Sequence, residues 1–207
     1  CGFRYVTNHI PSDEEKDEVL DFDTIASFAR GRELLGYLKA DVDNLGALFF
    51  CGLYEDETTN RNSISRLATL SRMLDLFFAG YINYLLSEKY PHCYAVFSGG
   101  DDLFLIGPWN EIIDLANDVQ NDFRRFVNDN WNITLSTGVF VCKPTFPIGR
   151  AAEIADDCLE KAKETVLKGR TEGRDQIHIF GRTIKWEDFP ILLEEAKKLV
   201  AMVEKED

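Results

Sequence analysis

The sequence predicts an α+β domain in which an antiparallel sheet is covered by helices, and three observations carry that expectation. Short runs rich in strand formers alternate with longer stretches of helical periodicity. Two of the strand runs, residues 93–98 (CYAVFS) and 101–107 (DDLFLIG), flank Gly99 and Gly100, the pattern of a tight hairpin. Over 207 residues, 45% are apolar and 12% aromatic, which is enough to bury a core of domain size.

Residues 1–33 are polar and carry the acidic run Asp13, Glu14, Glu15, Asp17, Glu18 after Pro11 and Ser12. They show no strand alternation and are expected to be a linker, with a short helix from Asp23 to about Arg30. Residues 34–40 (LLGYLKA) are nearly continuous in apolar character and end at Asp41, Val42 and Asp43, so a buried strand with acids at its C-terminal end is expected. Asn44, Leu45 and Gly46 then turn the chain into a helix. Residues 53–62 (LYEDETTNRN) read as a polar surface insertion. Beyond them Ile64, Leu67, Leu70, Met73, Leu74, Phe77, Phe78, Tyr81 and Leu85 recur at helical spacing, the stripe of a long helix lying on a sheet.

After the hairpin, residues 109–130 read as a helix with Ile112, Leu115, Ala116, Val119 and Phe123 facing inward. Residues 133–142 (ITLSTGVFVC) are a strand, residues 148–168 a helix started by Pro147, and residues 176–180 (QIHIF) a final alternating strand. Phe189, Leu192, Leu193, Ala196, Leu199, Val200 and Val203 mark one more amphipathic helix, for which core is the ordinary fate and a partner surface the alternative. The expected organisation is thus a linker over 1–33, a domain over 34–186 and a closing helix over 187–207. Without its last strand and helix, the order of elements is the split βαβ plan of a ferredoxin-like sheet. The crossover rule places the first strand beside a hairpin strand, so Asp41 and Asp101 meet across sixty positions (101 − 41).

Four carboxylates, Asp41, Asp43, Asp101 and Asp102, are therefore expected at one edge of the sheet, with Gly99 and Gly100 between them. Like charges so close repel unless cations sit among them. Oxygen ligands of this hardness favour Mg²⁺ or Mn²⁺, and glycines without a Cβ let a nucleotide approach the main chain. The combination reads as a metal-dependent nucleotide site of the palm type. With two ions ~3.5–4 Å apart, one lowers the pKa of an attacking hydroxyl and the other neutralises a leaving pyrophosphate. Taken singly, SGGDD is also an ordinary turn, and Asp41 with Asp43 an ordinary strand end with a helix cap. Lys161, Lys163, Lys168, Arg170 and Arg174 are candidate phosphate-binding cations, with a solvated face as the competing reading.

Several classes are disfavoured. The charge sum, 23 − 36 = −13, opposes nonspecific coating of nucleic acid or an anionic membrane. The sequence has no Walker pattern, no HExxH and no His-Asp pair, which weighs against P-loop, zinc and HD hydrolase chemistry. Five cysteines without a CxxC pair read as reduced thiols of a cytoplasmic protein, and no run approaches the ~20 apolar residues of a membrane span. Because the chain begins at Cys1 and not Met, a piece of a longer polypeptide is expected.

At LGYLKADVDNLG (residues 35–46) and YAVFSGGDDLFLIGPW (residues 94–109) the chain closely resembles the large signature subunit of type III CRISPR effector complexes, in its Csm (III-A) branch. RYVTNHIPSDEE, DFDTIASFARG, AAEIADDCLEKAKE and IHIFG also look like that family, and the similar region is its second palm, akin to GGDEF and other nucleotidyl cyclases. The resemblance implies a nucleotidyltransferase that joins the 3′ hydroxyl of one ATP to the α-phosphorus of another. The products would be cyclic oligoadenylates, made when target RNA pairs with guide RNA, that switch on ancillary nucleases. It further implies that Asp41, the main-chain carbonyl of Val42 and Asp101 hold Mg²⁺ or Mn²⁺, with Asp101 and Asp102 as the catalytic acids. Ser98, Gly99 and Gly100 would line the nucleotide pocket, Asn44 would lie near the ribose or base, and Lys163 and Arg174 would hold the triphosphate.

Implied partners are ATP, the first palm and helical domain of the same full-length subunit, the other effector subunits and the guide and target RNAs, with no membrane. The family's HD nuclease and zinc-bearing region have no counterpart in these residues, although Cys1 could be a last zinc ligand. Leu103 and Phe104 follow Asp102 where GGDEF cyclases place Glu-Phe, which argues against a GTP-using dinucleotide cyclase. The alternative is a catalytically inert palm that docks neighbouring subunits and senses RNA pairing.

Overall fold

A computed structural model gives the structure of residues 7–13, 18–51 and 63–203, so Cys1 and residues 53–62 lie outside the described residues. The stretch expected as a linker contains a two-stranded ladder, β1 (Ser12–Asp13) with β2 (Glu18–Val19), and a helix, α1 (Phe22–Ser27). The Asp21 carboxylate caps α1 by accepting the Thr24 N–H at 2.8 Å. Ile25 and Ala26 are fully buried, so this stretch packs onto the sheet.

The strands and helices that follow are β3 (Leu35–Val42), α2 (Leu45–Cys51), α3 (Ile64–Asp75), α4 (Ile82–Lys89), β4 (Tyr94–Gly99), β5 (Asp102–Pro108) and α5 (Trp109–Phe126). After them come β6 (Leu135–Cys142), α6 (Ile148–Glu164), β7 (Gln176–Ile179), β8 (Arg182–Lys185) and α7 (Phe189–Val203). The six-stranded sheet has the order β4-β5-β3-β6-β7-β8, and its first four strands are the expected ferredoxin-like core with β3 inside. One pairing departs from the antiparallel expectation. β6 and β7 are parallel, because α6 is a crossover helix joining them, and the sheet is mixed.

The sequence reading also missed β8. It turns back from β7 at Phe180 and Gly181, both with positive φ (51° and 73°), the geometry of a tight two-residue hairpin. Phe180 counted as strand in the sequence because Phe is a strand former; in the structure it is exposed at a turn.

Helices cover both faces of the sheet, which explains why β3 reads as almost continuously apolar. Leu38, Ala40 and Val42 point into the larger core with α4 and α5, whereas Leu35 and Tyr37 point into a second core with α1 and α6. α6 lies so close to β6 that Gly138 has no room for a Cβ. The long helix expected after residue 64 is broken in kind but not in course: a π-helical segment, Leu76–Tyr81, separates α3 from α4. α7 differs from the ordinary core fate, since only Phe189 is buried and Ile191, Leu199, Val200 and Met202 are exposed. Among the described residues no helix is long and apolar enough to cross a membrane, and Cys93, Cys142 and Cys158 are free thiols.

Candidate metal and nucleotide site

Strand pairing alone brings the acids together. In the β3–β5 ladder Asp41 stands opposite Asp102, and just beyond it the Val42 N–H donates to the Asp101 carbonyl at 3.3 Å. Gly100 and Asp101 form the two-residue turn between β4 and β5; only Gly100 has positive φ (68°), the pattern of a type II′ turn. Asp41, Asp101 and Asp102 each offer a carboxylate oxygen, and these oxygens lie within 4.8 Å of one another.

Burial and mutual repulsion set the electrostatics at this edge. Burial pushes the Asp41 carboxyl above the ordinary carboxylate range; the Lys163 ammonium opposes this and Asp102 adds to it. Asp101 is raised as well, by burial first and then by the Asp41 charge. Three hard oxygen donors, one of them exposed so that water can complete a coordination shell, fit Mg²⁺ or Mn²⁺.

Lys163, in the last turn of α6, reaches this edge: its Nζ lies 2.9 Å from Asp41 Oδ2 and 3.4 Å from Glu160 Oε1. Burial works to lower the Lys163 pKa, but Asp41 and then Glu160 outweigh it and the ammonium is held above its ordinary value. The loop after α6 passes over this point at Gly173, where a Cβ would sit 2.2 Å from the Lys163 carbonyl oxygen.

Asp43 does not join the cluster, which corrects the expectation of four gathered carboxylates. β3 ends at Val42 and Asn44 adopts a left-handed φ of 56°, so the chain turns before Asp43 can follow the strand's alternation. The Asp43 side chain is instead fully enclosed. It accepts hydrogen bonds from Thr134 Oγ1 and Ser136 Oγ, both at 2.7 Å, and from the Asp175 N–H at 3.1 Å. Burial raises its pKa while the two hydroxyls oppose the rise.

Arg174 belongs to this neighbouring network and not to the three-acid edge: its Nε is 3.9 Å from Asp43 Oδ1. Its backbone carbonyl accepts from Arg170 Nη1 at 3.0 Å, and Arg124 Nη2 holds Asp175 at 2.9 Å. Ser98 is buried and donates its hydroxyl to the Phe78 carbonyl. Gly99 has no positive φ, and a Cβ there would meet nothing within 4 Å, so open space stands over the acids. Asn44 is exposed and its carbonyl accepts the Leu48 N–H at 2.9 Å, starting α2, while the Val42 side chain is buried in the core.

Beside Asp102 a cleft of about 200 Å³ opens between β5 and α6, rimmed by Phe97, Phe104, Lys39 and Asp156. Sequence reasoning missed Asp75, whose Oδ1 accepts the Gly100 N–H at 3.0 Å, and Thr134, Ser136, Asp175 and Arg124 of the Asp43 network. Thr134 and Ser136 carried a signal, two hydroxyls at strand spacing beside an apolar strand; Asp75, at the end of an ordinary amphipathic helix, carried none.

The sequence model for Cas10/Cmr2, second palm domain, matches residues 34–177. The CRISPR system single-strand-specific deoxyribonuclease Cas10/Csm1 (subtype III-A) of Methanocaldococcus jannaschii is 36% identical over 197 residues, covering 86% of this chain and 24% of its own length. That of Thermococcus onnurineus is 30% identical over 195 residues, covering 86% and 23%. The chain thus spans about a quarter of the length of these relatives. A crystal structure of a Csm1-Csm4 cassette in complex with cA3 matches with a TM-score of 0.77 and 27% identity, over 92% of this chain and 28% of that one. A cassette in complex with AMPPNP matches with a TM-score of 0.74 and 28% identity, over 88% and 27%, and further cassettes carry pppApApA and cA4.

Proposed function

The chain belongs to the Cas10/Cmr2 second-palm family, in its type III-A Cas10/Csm1 branch, and from that premise we propose that the Asp41, Asp101, Asp102 edge is a nucleotidyltransferase site making cyclic oligoadenylate from ATP in antiviral defence. The observation that carries this reading is the convergence of three carboxylates on a glycine turn with Lys163 in contact with one of them. The ligands of the related cassettes support it, since AMPPNP, pppApApA and cA3 have the chemistry of a substrate analogue, a chain intermediate and a cyclic product.

In the reaction, the 3′ oxygen of one ATP bonds to the α-phosphorus of a second, whose bond to the bridging oxygen breaks, so that pyrophosphate leaves and the hydroxyl proton passes to water. Bound Mg²⁺ or Mn²⁺ supplies Lewis acidity at the attacking and leaving oxygens. Asp41, Asp101 and the Val42 carbonyl would hold that ion, and Asp102 would complete the acidic pair. Gly99 leaves room for the nucleotide to lie against the main chain. Lys163 transfers its charge from Asp41 to the triphosphate tail, and Arg174, one network away, does the same on leaving Asp43. The first palm and the helical domain of the full-length subunit complete the site, and guide and target RNA act through the assembled complex. The deoxyribonuclease activity in the relatives' names is not proposed for this chain, whose sequence has no His-Asp pair.

A second reading, an inert palm that docks neighbouring subunits and senses RNA pairing, draws on the exposed apolar residues of α7. Calorimetric titration with ATP, in Mn²⁺ and in EDTA, separates the two. The nucleotidyltransferase reading expects binding that needs Mn²⁺ and is lost in the Asp101→Asn, Asp102→Asn double variant. Equal binding with and without metal, or in the double variant, overturns it; no binding to either chain leaves the scaffold as the better account.

A further inference from the structure

We propose that Asp75 is a positioning residue for the turn at 99–102, acting together with the π-helical segment that begins at the next residue; the proposal rests on the reading of this edge as a metal and nucleotide site. The Gly100 N–H, which a type II′ hairpin turn leaves outside its own hydrogen bond, donates to Asp75 Oδ1 at 3.0 Å. The two residues are 25 apart in sequence, so the end of a helix grips the turn that carries Asp101 and Asp102.

The π-helical segment supplies a second grip on the same hairpin. Within it the Ile82 N–H reaches the Phe77 carbonyl, five residues back, and the change from four-residue to five-residue spacing leaves carbonyls available to outside donors. Ser98 Oγ donates to the Phe78 carbonyl, while Thr7 Oγ1 lies 3.3 Å from the Phe78 and Ala79 carbonyls and 3.2 Å from that of Ser98. One short stretch of helix therefore fixes both the end of β4 and the first residue of the turn. The opposite side of the turn is fixed by the β3–β5 ladder, where Asp102 faces Asp41. Held from both sides, Asp101 and Asp102 each keep a carboxylate oxygen within 4.8 Å of one of Asp41.

This gives Ser98 a different part from the one the resemblance implied. Its hydroxyl is committed to the helix carbonyl, and it contributes to nucleotide binding by holding Gly99 and Gly100 in place. Asp75 acts through the Gly100 amide.

The test compares Asp75→Ala with Asp75→Asn in the 207-residue chain by two measurements. Amide NMR without metal or nucleotide reads the grip itself: the Gly100 proton moves upfield in Asp75→Ala, with Asp101 shifting too, and stays near its original place in Asp75→Asn, which keeps the acceptor oxygen. Calorimetry with Mn²⁺ and ATP reads the consequence: affinity falls about tenfold in the alanine variant and recovers to within about threefold in the asparagine variant. Melting temperatures within a few degrees of one another separate this from general unfolding. An unmoved Gly100 amide, an unchanged affinity in Asp75→Ala, or an Asp75→Asn as weak as the alanine variant overturns the proposal, the last because it assigns the effect to charge. If the unaltered chain fails to bind Mn²⁺–ATP, the nucleotide reading falls, and the NMR shifts still decide whether Asp75 seats the turn.

Discussion

Replacing Gly138 by alanine tests how firmly the sheet positions the candidate site. Gly138 lies on β6, between Lys39 of β3 and His178 of β7 in the register, and its bare face meets α6. A Cβ there would lie 2.2 Å from Leu159 N, 2.6 Å from Ala155 O and 2.7 Å from Cys158 C, all of them helix backbone. Ordinary contact begins at 3.4 Å, so α6 must recede by at least 1.2 Å (3.4 − 2.2). No side-chain rotation can relieve a clash between two backbones. Overpacking of this kind costs typically ~1–3 kcal/mol, and with three backbone contacts the upper end, about 3 kcal/mol, is expected. The same movement reaches the acids: Lys163 lies four residues beyond Leu159 on the same helix, and a parallel shift stretches its pair with Asp41 to 4.1 Å (2.9 + 1.2), too far for a hydrogen bond. Urea unfolding followed by circular dichroism measures the loss, and ATP titration measures the site. Gly149→Ala is the control, since that position within α6 has open space around it and should gain up to about 1 kcal/mol. A loss below about 0.5 kcal/mol in Gly138→Ala, on the scale of an ordinary surface change, would refute this account of how α6 sits on the sheet.

Two further substitutions separate fold from chemistry. Asp43→Ala leaves the Thr134 and Ser136 hydroxyls and the Asp175 N–H without their acceptor in the interior, so urea unfolding should show a loss of about 3–5 kcal/mol, and Asp43→Asn, which keeps one acceptor oxygen, a smaller one; a loss under about 1 kcal/mol for alanine contradicts a structural role for this acid. Lys163→Met removes a cation that competes for Asp41, so calorimetry with Mn²⁺ alone should show affinity about threefold tighter, while Mn²⁺–ATP binding weakens about tenfold; both moving in one direction would mean that Lys163 does not pass from acid to phosphate.

The order of elements, the hairpin and the meeting of Asp41 with Asp101 and Asp102 were legible in the sequence by itself. Each rests on short-range pattern, strand formers between turn residues and helical stripes between polar loops, joined by topological rules that leave few arrangements open. The motifs ADVD and SGGDD were legible for the same reason, since each sits at the end of its own strand. Only the tertiary structure decided what each side chain does there. Asp41 and Asp43 are equivalent in pattern, yet the strand stops between them, and Asp43 finds Thr134 and Ser136 more than ninety residues away. A π-helical turn presents a carbonyl to the Ser98 hydroxyl, and α6 closing on Gly138 delivers Lys163 to Asp41, neither of which short-range pattern can specify. The parallel place of β7 and the turn at Phe180 and Gly181 escaped the sequence, and the choice between core and exposed face for α7 stayed open in it, for one physical reason. Periodicity says that a segment has an apolar side, while the element that covers that side, or the distant group that satisfies a buried polar atom, is set by how the whole chain packs.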